Sequence, residues 1–318
     1  MKRYFFHRLL ALLPVLLVVS VVVFCLIHLA PGDPAAVILG NDATPQDIAA
    51  LRDQMGLNRP MFVQFTEWFG SILTGDLGQS LFLNTSVMTL FLQHLTPTLA
   101  LAFYAMAIAL VLGLTGGVLS AWRHGGITDT VIRALATFGM SVPGFLLGLF
   151  LIFVFAVQLR WFPVVGYRST NGSLWLNIWY LTLPAFALGI RIAALIARMT
   201  RAVMLDVMRE NFINTARAKG VPERLVMLRH TLKNALIPVL TICGESFASL
   251  VTGTIVIESV FGIPGIGALI VHSIERRDVT VIQGVVLLIT VCYVLINLLV
   301  DLLSYLADPR LSVNGDGH

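Results

Sequence analysis

Apolar residues fall in long runs separated by short basic stretches, and the lengths of those runs set the first expectation. Crossing a bilayer takes about 20 apolar residues in a helix. Runs of that order occur at about Leu9–Leu29, Thr98–Trp122, Ala134–Leu159, Asn177–Ile196, Asn234–Ile257 and Val281–Ala307. The pattern predicts an all-α membrane protein with about six transmembrane helices. The long polar excursion between the first two runs carries its own signals. Thr44-Pro45-Gln46-Asp47 supplies a hydroxyl N-cap, a proline at the first helical position and an acid in the first turn. Gly56 is placed to close that helix in the left-handed conformation. A second short helix is predicted after Pro60, with Phe65, Trp68, Phe69 and Ile72 on one face. That face suits either the membrane interface or packing onto the bundle. Gly75-Asp76-Leu77-Gly78 reads as a loop.

Composition agrees with the runs: 57% of the residues are hydrophobic and only 12% are charged, against about a quarter charged in a soluble domain. The net charge of +4 does not indicate nucleic-acid binding, because the basic residues flank apolar runs, where positive charge reports topology. One side collects fourteen Lys and Arg residues: Lys2, Arg3, Arg8, Arg123, Arg133, Arg198, Arg201, Arg209, Arg217, Lys219, Arg224, Arg229, Lys233 and Arg310. The other side has six, Arg52, Arg59, Arg160, Arg168, Arg276 and Arg277, and Arg191 lies within a run. The richer side is expected to be cytoplasmic, which puts both termini inside and agrees with an even number of spans. The first apolar run exceeds the ~7–15 residues of a signal-peptide core, so an uncleaved anchor is expected. Cys25, Cys243 and Cys292 all lie in apolar runs and lack the spacing of a disulfide framework or zinc site; they read as small apolar packers.

The expected organisation is an N-terminal tail and first helix at 1–30, and an extracytoplasmic segment with short helices at 31–96. A five-helix core at 97–310 follows, carrying a cytoplasmic loop at 198–233, and then a cytoplasmic tail at 311–318. No internal repeat is visible, which counts against a secondary transporter built from two related halves. The chain's three lysines, Lys2, Lys219 and Lys233, are all outside any phosphate-cradling G-x-x-x-x-G-K-[ST] loop, and no H-E-x-x-H zinc motif occurs. Gly139-Met140-Ser141-Val142-Pro143 has proline where a nucleophile elbow has its second glycine, and is read as a Pro-bent helix. No catalytic residue, bound cofactor or metal site is expected.

The stretch Arg198–Lys233 is the most informative. Phe212, Thr215, Ala216 and Lys219 lie at helical spacings, Gly220 stops the helix, and Pro222 is placed to start the next. This describes a short helix with a small-residue surface, Thr215-Ala216-Arg217-Ala218, and with Arg217 and Lys219 available to acids on a partner. On residues alone, a solvated positive-inside loop is an equal alternative.

The segment Phe212-Ile213-Asn214-Thr215-Ala216-Arg217-Ala218-Lys219-Gly220 closely resembles the coupling helix of ABC importer permeases of the dipeptide, oligopeptide and nickel family. The resemblance covers almost the whole chain. It includes Pro31-Gly32-Asp33-Pro34, Met55-Gly56-Leu57, Gly75-Asp76-Leu77-Gly78, His230 with Asn234-Ala235 and Pro238, and Phe261-Gly262-Ile263-Pro264-Gly265-Ile266-Gly267. It continues through Asn297, Asp301 and Asp308-Pro309-Arg310. The general importer signature begins Glu-Ala-Ala where this chain has Asn214-Thr215-Ala216, so no role for that acid is carried over. The family often has Trp at the position of Ile263, and Tyr-Pro at Val279-Thr280. The resemblance implies a second homologous permease subunit, two cytoplasmic ATPase subunits that hold ATP-Mg and dock on the coupling helices, and an extracytoplasmic substrate-binding protein. It implies a bacterial inner-membrane location and di- or oligopeptides, glutathione or a nickel chelate as cargo. The alternative from another class is an ion-gradient-driven secondary transporter; an intramembrane enzyme has no recognisable site.

Arg191, Glu245 and Asp301 are charged residues inside apolar runs. A charge at the bilayer centre costs at least about 2.5 kcal/mol on insertion scales, so each should face the bundle or an aqueous path. Two readings stand: a pathway-lining role, or a structural Arg191–Glu245 pair. Gly113-x-x-x-Gly117 and Gly144-x-x-x-Gly148 permit close helix approach, expected within the chain rather than at a dimer seam.

Overall fold

The structure is a computed structural model that describes residues 14–25, 34–39, 43–54, 56–165, 167 and 174–307. The basic flank Lys2, Arg3 and Arg8, both ends of the first apolar run, Pro31-Gly32-Asp33, Met55, Arg168, Asp308-Pro309-Arg310 and the tail 311–318 lie outside the described residues. The elements are α1 (Pro14–Cys25), α2 (Pro34–Leu39), α3 (Pro45–Gln54), α4 (Met61–Leu73), α5 (Val87–Trp122), α6 (Ile127–Ser141) and α7 (Gly144–Leu151), which runs into a π-helical turn at Ile152–Gln158. They continue with α8 (Leu174–Val207), α9 (Asn211–Ala218), α10 (Glu223–Leu225), a second π-helical turn at Val226–Thr231, α11 (Leu232–Gly253), α12 (Ile255–Phe261), α13 (Ile266–Glu275) and α14 (Val279–Ala307).

Among the described residues, four helices are long and apolar enough to cross a membrane: Val87–Trp122, Asn177–Val207, Glu223–Gly253 and Val279–Leu302. Two bent pairs raise the number to six if each is one span, and α1 is a shorter apolar helix. With α1 as the described part of the first expected run and the bent Ile127–Gln158 pair as the third, the expected count of about six stands, with several boundaries corrected; α12–α13 is a separate bent pair that the apolar runs do not predict. The run at Ala134–Leu159 is not one gently bent helix, because α6 and the Gly144–Gln158 segment meet at 102°. Pro143 is the cause: it disfavours helical backbone at Val142, whose ψ is 125°. The run at Asn234–Ile257 starts earlier, at Glu223, and stops at Gly253; Ile257 belongs to α12, which meets α13 at 84°. The helix expected from Thr98 begins at Val87 and carries Pro97 inside it.

Two compact units divide the chain. One comprises residues 1–95 and 269–294, the other 96–268 and 295–318. In the first, Thr44 and Asp47 form a reciprocal capping box at the start of α3, with the Asp47 amide donating to Thr44 Oγ1 at 3.3 Å and the Thr44 amide donating back to the Asp47 carboxylate at 3.2 Å. Gly56 has φ +67° and ends that helix as expected. Phe65 and Trp68 on α4 pack on Phe24 of α1, with ring centroids 5.3 and 5.6 Å away, so this apolar face is turned onto a neighbouring helix. The Ser80 hydroxyl donates to the buried Asp278 carboxylate at 2.6 Å, and Gln283 Nε2 donates to the Val23 carbonyl at 3.0 Å.

The second unit has a core in which Leu101, Ala105 and Ala109 of α5 meet Leu183, Ala187 and Ile196 of α8, with Val239 and Leu250 of α11 and Ile257 and Phe261 of α12. Alanine and glycine let these backbones approach, as in lipid-embedded helix pairs generally. A Cβ at Gly113 would stand 2.7 Å from Ile196 Cβ, and one at Gly117 2.6 Å from Thr200 Cβ. The Gly113-x-x-x-Gly117 seam is thus filled within the chain, by α8.

Candidate functional site

The loop between α8 and α11 is structured. Asn211 to Ala218 form α9, and Gly220 follows with φ +77°. The Gly220 amide donates to the Arg217 carbonyl at 2.9 Å, and the Val221 amide to the Ala216 carbonyl at 3.2 Å. These two bonds, with a left-handed glycine between them, make a Schellman cap. Its usual apolar contact is present: Val221 packs on a small core of Ile213, Ala216 and Val226. Pro222 is the N-cap of α10 rather than its first residue.

That core fixes which face of α9 is outward, and it corrects one expectation. Ala216 is buried against the chain's own Ile213 and Val226, so it does not offer a surface to a partner. A 3.6-residue period allows only one face to be buried, and Ile213 and Ala216, three apart, occupy it. Phe212, Asn214, Thr215, Arg217, Ala218, Lys219 and Gly220 are exposed, with Phe212 the large apolar group among them. Arg217 is also not free for a partner's acid. Its Nε and Nη2 donate to the two Glu223 carboxylate oxygens at 3.1 and 2.6 Å.

The expected intramembrane charges are not brought together. Arg191 on α8 and Glu245 on α11 are both exposed on the chain surface, and among the described residues no ion pair joins them. The structural-pair reading is thereby corrected. Asp301 is half-buried on α14. A Cβ at Gly244 would overlap Val300, so the residues immediately before Glu245 and Asp301 are in backbone-close contact.

Two buried carboxylates that the sequence reading passed over hold the second unit together. Glu258 of α12 has no exposed surface and accepts four hydrogen bonds. Thr98 Oγ1 and Thr254 Oγ1 donate to Oε1, each at 2.7 Å; the amides of Gly267 and Ala268 donate to Oε2 at 2.7 and 3.2 Å. Thr98 Oγ1 in turn accepts from the Ile266 amide at 2.9 Å. The carboxyl group therefore caps the N-terminus of α13 from within α12, across a turn in which Gly262 has φ +60°. The second carboxylate, Asp129 at the start of α6, accepts from Arg201 Nε at 2.7 Å and Nη2 at 2.9 Å, from Ser120 Oγ at 2.6 Å and from the Gly125 amide at 3.0 Å. The signal for Glu258 was a lone acid in an apolar stretch four residues before a glycine-rich turn. For Asp129 it was an acid in the first turn of a helix after Gly125-Gly126.

Among the described residues no group of three or more His, Cys, Asp or Glu is placed to hold a metal ion. The geometry offers an exposed, rigidly capped short helix and glycine-based packing.

Known proteins agree with that architecture. Residues 113–313 match the family described as "Binding-protein-dependent transport system inner membrane component", and residues 1–102 match the N-terminal region of the membrane component of such systems. The probable peptide ABC transporter permease protein y4tP of Sinorhizobium fredii is 44% identical over 311 residues, covering 98% of this chain and 99% of the relative. The glutathione transport system permease protein GsiC of Pectobacterium atrosepticum is 44% identical over 312 residues, with the same coverage. The dipeptide transport system permease protein DppB of Alkalihalophilus pseudofirmus is 41% identical over 331 residues. In fold, the chain is similar to the MetNI methionine ABC transporter in an inward-facing conformation, with a TM-score of 0.58 at 21% identity over 70% of this chain and 97% of the other. Family and fold together favour the ABC permease over the ion-driven secondary transporter, and the chain belongs to the family of inner-membrane components of binding-protein-dependent transport systems.

Proposed function

We propose that this permease forms half of an import pathway for di- or oligopeptides or a related solute such as glutathione or a nickel chelate, powered by ATP hydrolysed on separate subunits. The names of the full-length relatives support that cargo class. A second, homologous permease completes the pathway, two cytoplasmic ATPase subunits carry ATP-Mg, and an extracytoplasmic binding protein delivers the solute. The chain sits in the bacterial inner membrane with both termini in the cytoplasm, residues 31–96 outside and the 198–233 loop inside. It has no ATPase site of its own. The observation that carries the reading is the Schellman-capped α9, which exposes Phe212, Asn214, Thr215 and Ala218 while Ile213, Ala216 and Val226 fix it to the bundle. An ATPase docked on that face pushes on the bundle and not on a slack loop. Arg191 and Glu245, exposed and unpaired with each other, are assigned to the aqueous path.

The test is uptake of a labelled peptide library into vesicles reconstituted with permeases, ATPases and binding protein. Uptake that needs internal or external ATP on the ATPase side, and the binding protein on the other, is expected. Uptake driven by a proton gradient with the ATPases omitted would replace this reading by the secondary transporter.

A further inference from the structure

Two adjoining cavities run along the groove between α6 and α8. The first, about 410 Å3, is lined by three guanidinium groups, Arg133, Arg198 and Arg201, together with Ser120 and Thr137. The second, about 370 Å3, is lined by Leu112, Leu135, Phe138, Phe186 and Ile190. Ile132, Ala136 and Ala197 are common to both. On α8 the lining passes from Ile190 through Ala194 and Ala197 to Arg198 and Arg201. The eleven steps from Ile190 to Arg201 rise about 16 Å in a helix, so the groove has a basic head and an apolar tail of molecular length.

Its charge is unbalanced. Asp129 is the carboxylate at the basic end, and it is held on both oxygens by Arg201. Arg133 Nε lies 3.5 Å from the same carboxylate. Arg198 is exposed, and among the described residues no carboxylate lies within ion-pair distance of it. Three guanidinium groups against one carboxylate leave about two positive charges at the basic end of an apolar groove, where an anionic headgroup would be attracted. Guanidinium groups take phosphate oxygens in pairs, and basic pockets between membrane helices suit anionic headgroups. At the apolar end Leu135 and Phe138 are 64% and 66% exposed, as side chains facing acyl chains would be.

We infer that this groove binds an anionic phospholipid, with its phosphate between Arg133 and Arg198 and one acyl chain along Ile132, Ala136 and Phe138. The lipid supplies the missing negative charge at the ends of α6 and α8. This site includes no residue of α9 and does not depend on which solute is carried.

Native mass spectrometry of the purified permease complex, titrated with phosphatidylglycerol or with phosphatidylcholine of the same chains, reads the site directly. The parent should retain phosphatidylglycerol in preference. Arg198→Gln should lower that retention by about fivefold, and Arg133→Gln with Arg198→Gln by up to about 30-fold, while phosphatidylcholine retention stays level. Ala136→Trp, which fills the shared wall, should abolish retention of both. Arg198 has no hydrogen-bond or ion-pair partner among the described residues, so Arg198→Gln keeps the test valid if the double variant folds poorly. Equal retention of the two lipids by the parent, or undiminished phosphatidylglycerol on Arg198→Gln, would overturn the inference. So would an Ala136→Cys cross-link to a second permease subunit in membranes, because the groove would then be a protein interface.

Discussion

Gly265 lies so close to Glu258 that an added Cβ would overlap the Glu258 carboxyl group. The turn between α12 and α13 closes because one residue lacks a side chain and the other is wholly buried with four donors around it. Glu258→Gln keeps an acceptor for Thr98 and Thr254, but turns N–H groups toward the Gly267 and Ala268 amides. Each buried group left unsatisfied costs about 1–3 kcal/mol. We therefore expect Glu258→Gln and Gly265→Ala to lower the thermal midpoint in detergent by many degrees, with Glu245→Gln unchanged as a control. A Glu258→Gln protein that melts with the parent would show that the four bonds hold nothing together.

Asp129 and Arg201 make a two-pronged pair between the first turn of α6 and the end of α8, and the Arg201 side chain is 19% exposed. Removing one partner of such a pair leaves a buried charge uncompensated, at a cost of about 3–5 kcal/mol. Arg201→Gln should be the most damaging single change. Asp129→Asn with Arg201→Gln should recover much of the loss. The measurement is a double-mutant cycle on unfolding; additive losses would contradict a direct pair.

On α9, the buried and exposed faces predict different failures. Ala216→Trp should detach the helix from Ile213 and Val226 and lower stability as well as transport. Ala218→Trp, on the exposed face, should leave stability near the parent and abolish co-purification of the ATPases. A Cβ added at Gly220 meets no atom within 4 Å, so Gly220→Ala acts through backbone strain alone, about 1–2 kcal/mol, and uptake should fall with ATPase stimulation. Normal coupling in Ala218→Trp would remove α9 from the docking surface.

Arg217 and Glu223 are exposed partners, with 38% and 48% of their side-chain surface accessible. Pairs of this kind contribute about 0.2–1 kcal/mol and weaken in salt. Arg217→Glu and Glu223→Arg should therefore change stability little and equally. If the helix docks a partner, Arg217→Glu should depress uptake much more than Glu223→Arg does, and high salt should narrow the gap. Equal effects of the two on uptake would confine the pair to a local brace.

Orientation rests on the fourteen-to-six distribution of Lys and Arg. In a variant lacking Cys25, Cys243 and Cys292, a cysteine at Gln46 should react with an impermeant maleimide in intact cells, and one at Lys219 only after the membrane is opened. The reverse pattern would invert the topology.

What could be read in the sequence followed period and punctuation. The capping box at Thr44, the left-handed glycines at 56 and 220, and the close approach at Gly113 and Gly117 each depend on a few local residues, and all were legible. Apolar runs located the helices to within about a turn or two. The misplaced features were tertiary. Nothing local distinguishes the inward Ala216 from the outward Ala218; only Val226, ten residues on, decides it. Arg191 and Glu245 looked like a pair because opposite charges in neighbouring runs invite it, yet helix rotation leaves both on the surface. Glu258 was hidden for the same reason. Its partner Thr98 is 160 residues away, and hydropathy counts a single acid in an apolar stretch as a small blemish.

The α12–α13 hairpin also bears on how the protein is made. Seven and ten residues meeting at 84° rise about 10 and 15 Å, so neither half reaches across about 30 Å of hydrocarbon. A ribosome delivering this segment to the insertion machinery offers no complete stop for it to release sideways into lipid. Its acid is sheltered only where the hairpin meets Thr98, a residue synthesised 160 positions earlier. For this segment, membrane insertion and tertiary folding are therefore one problem: the hairpin has a place to sit only where the rest of the bundle receives its acid.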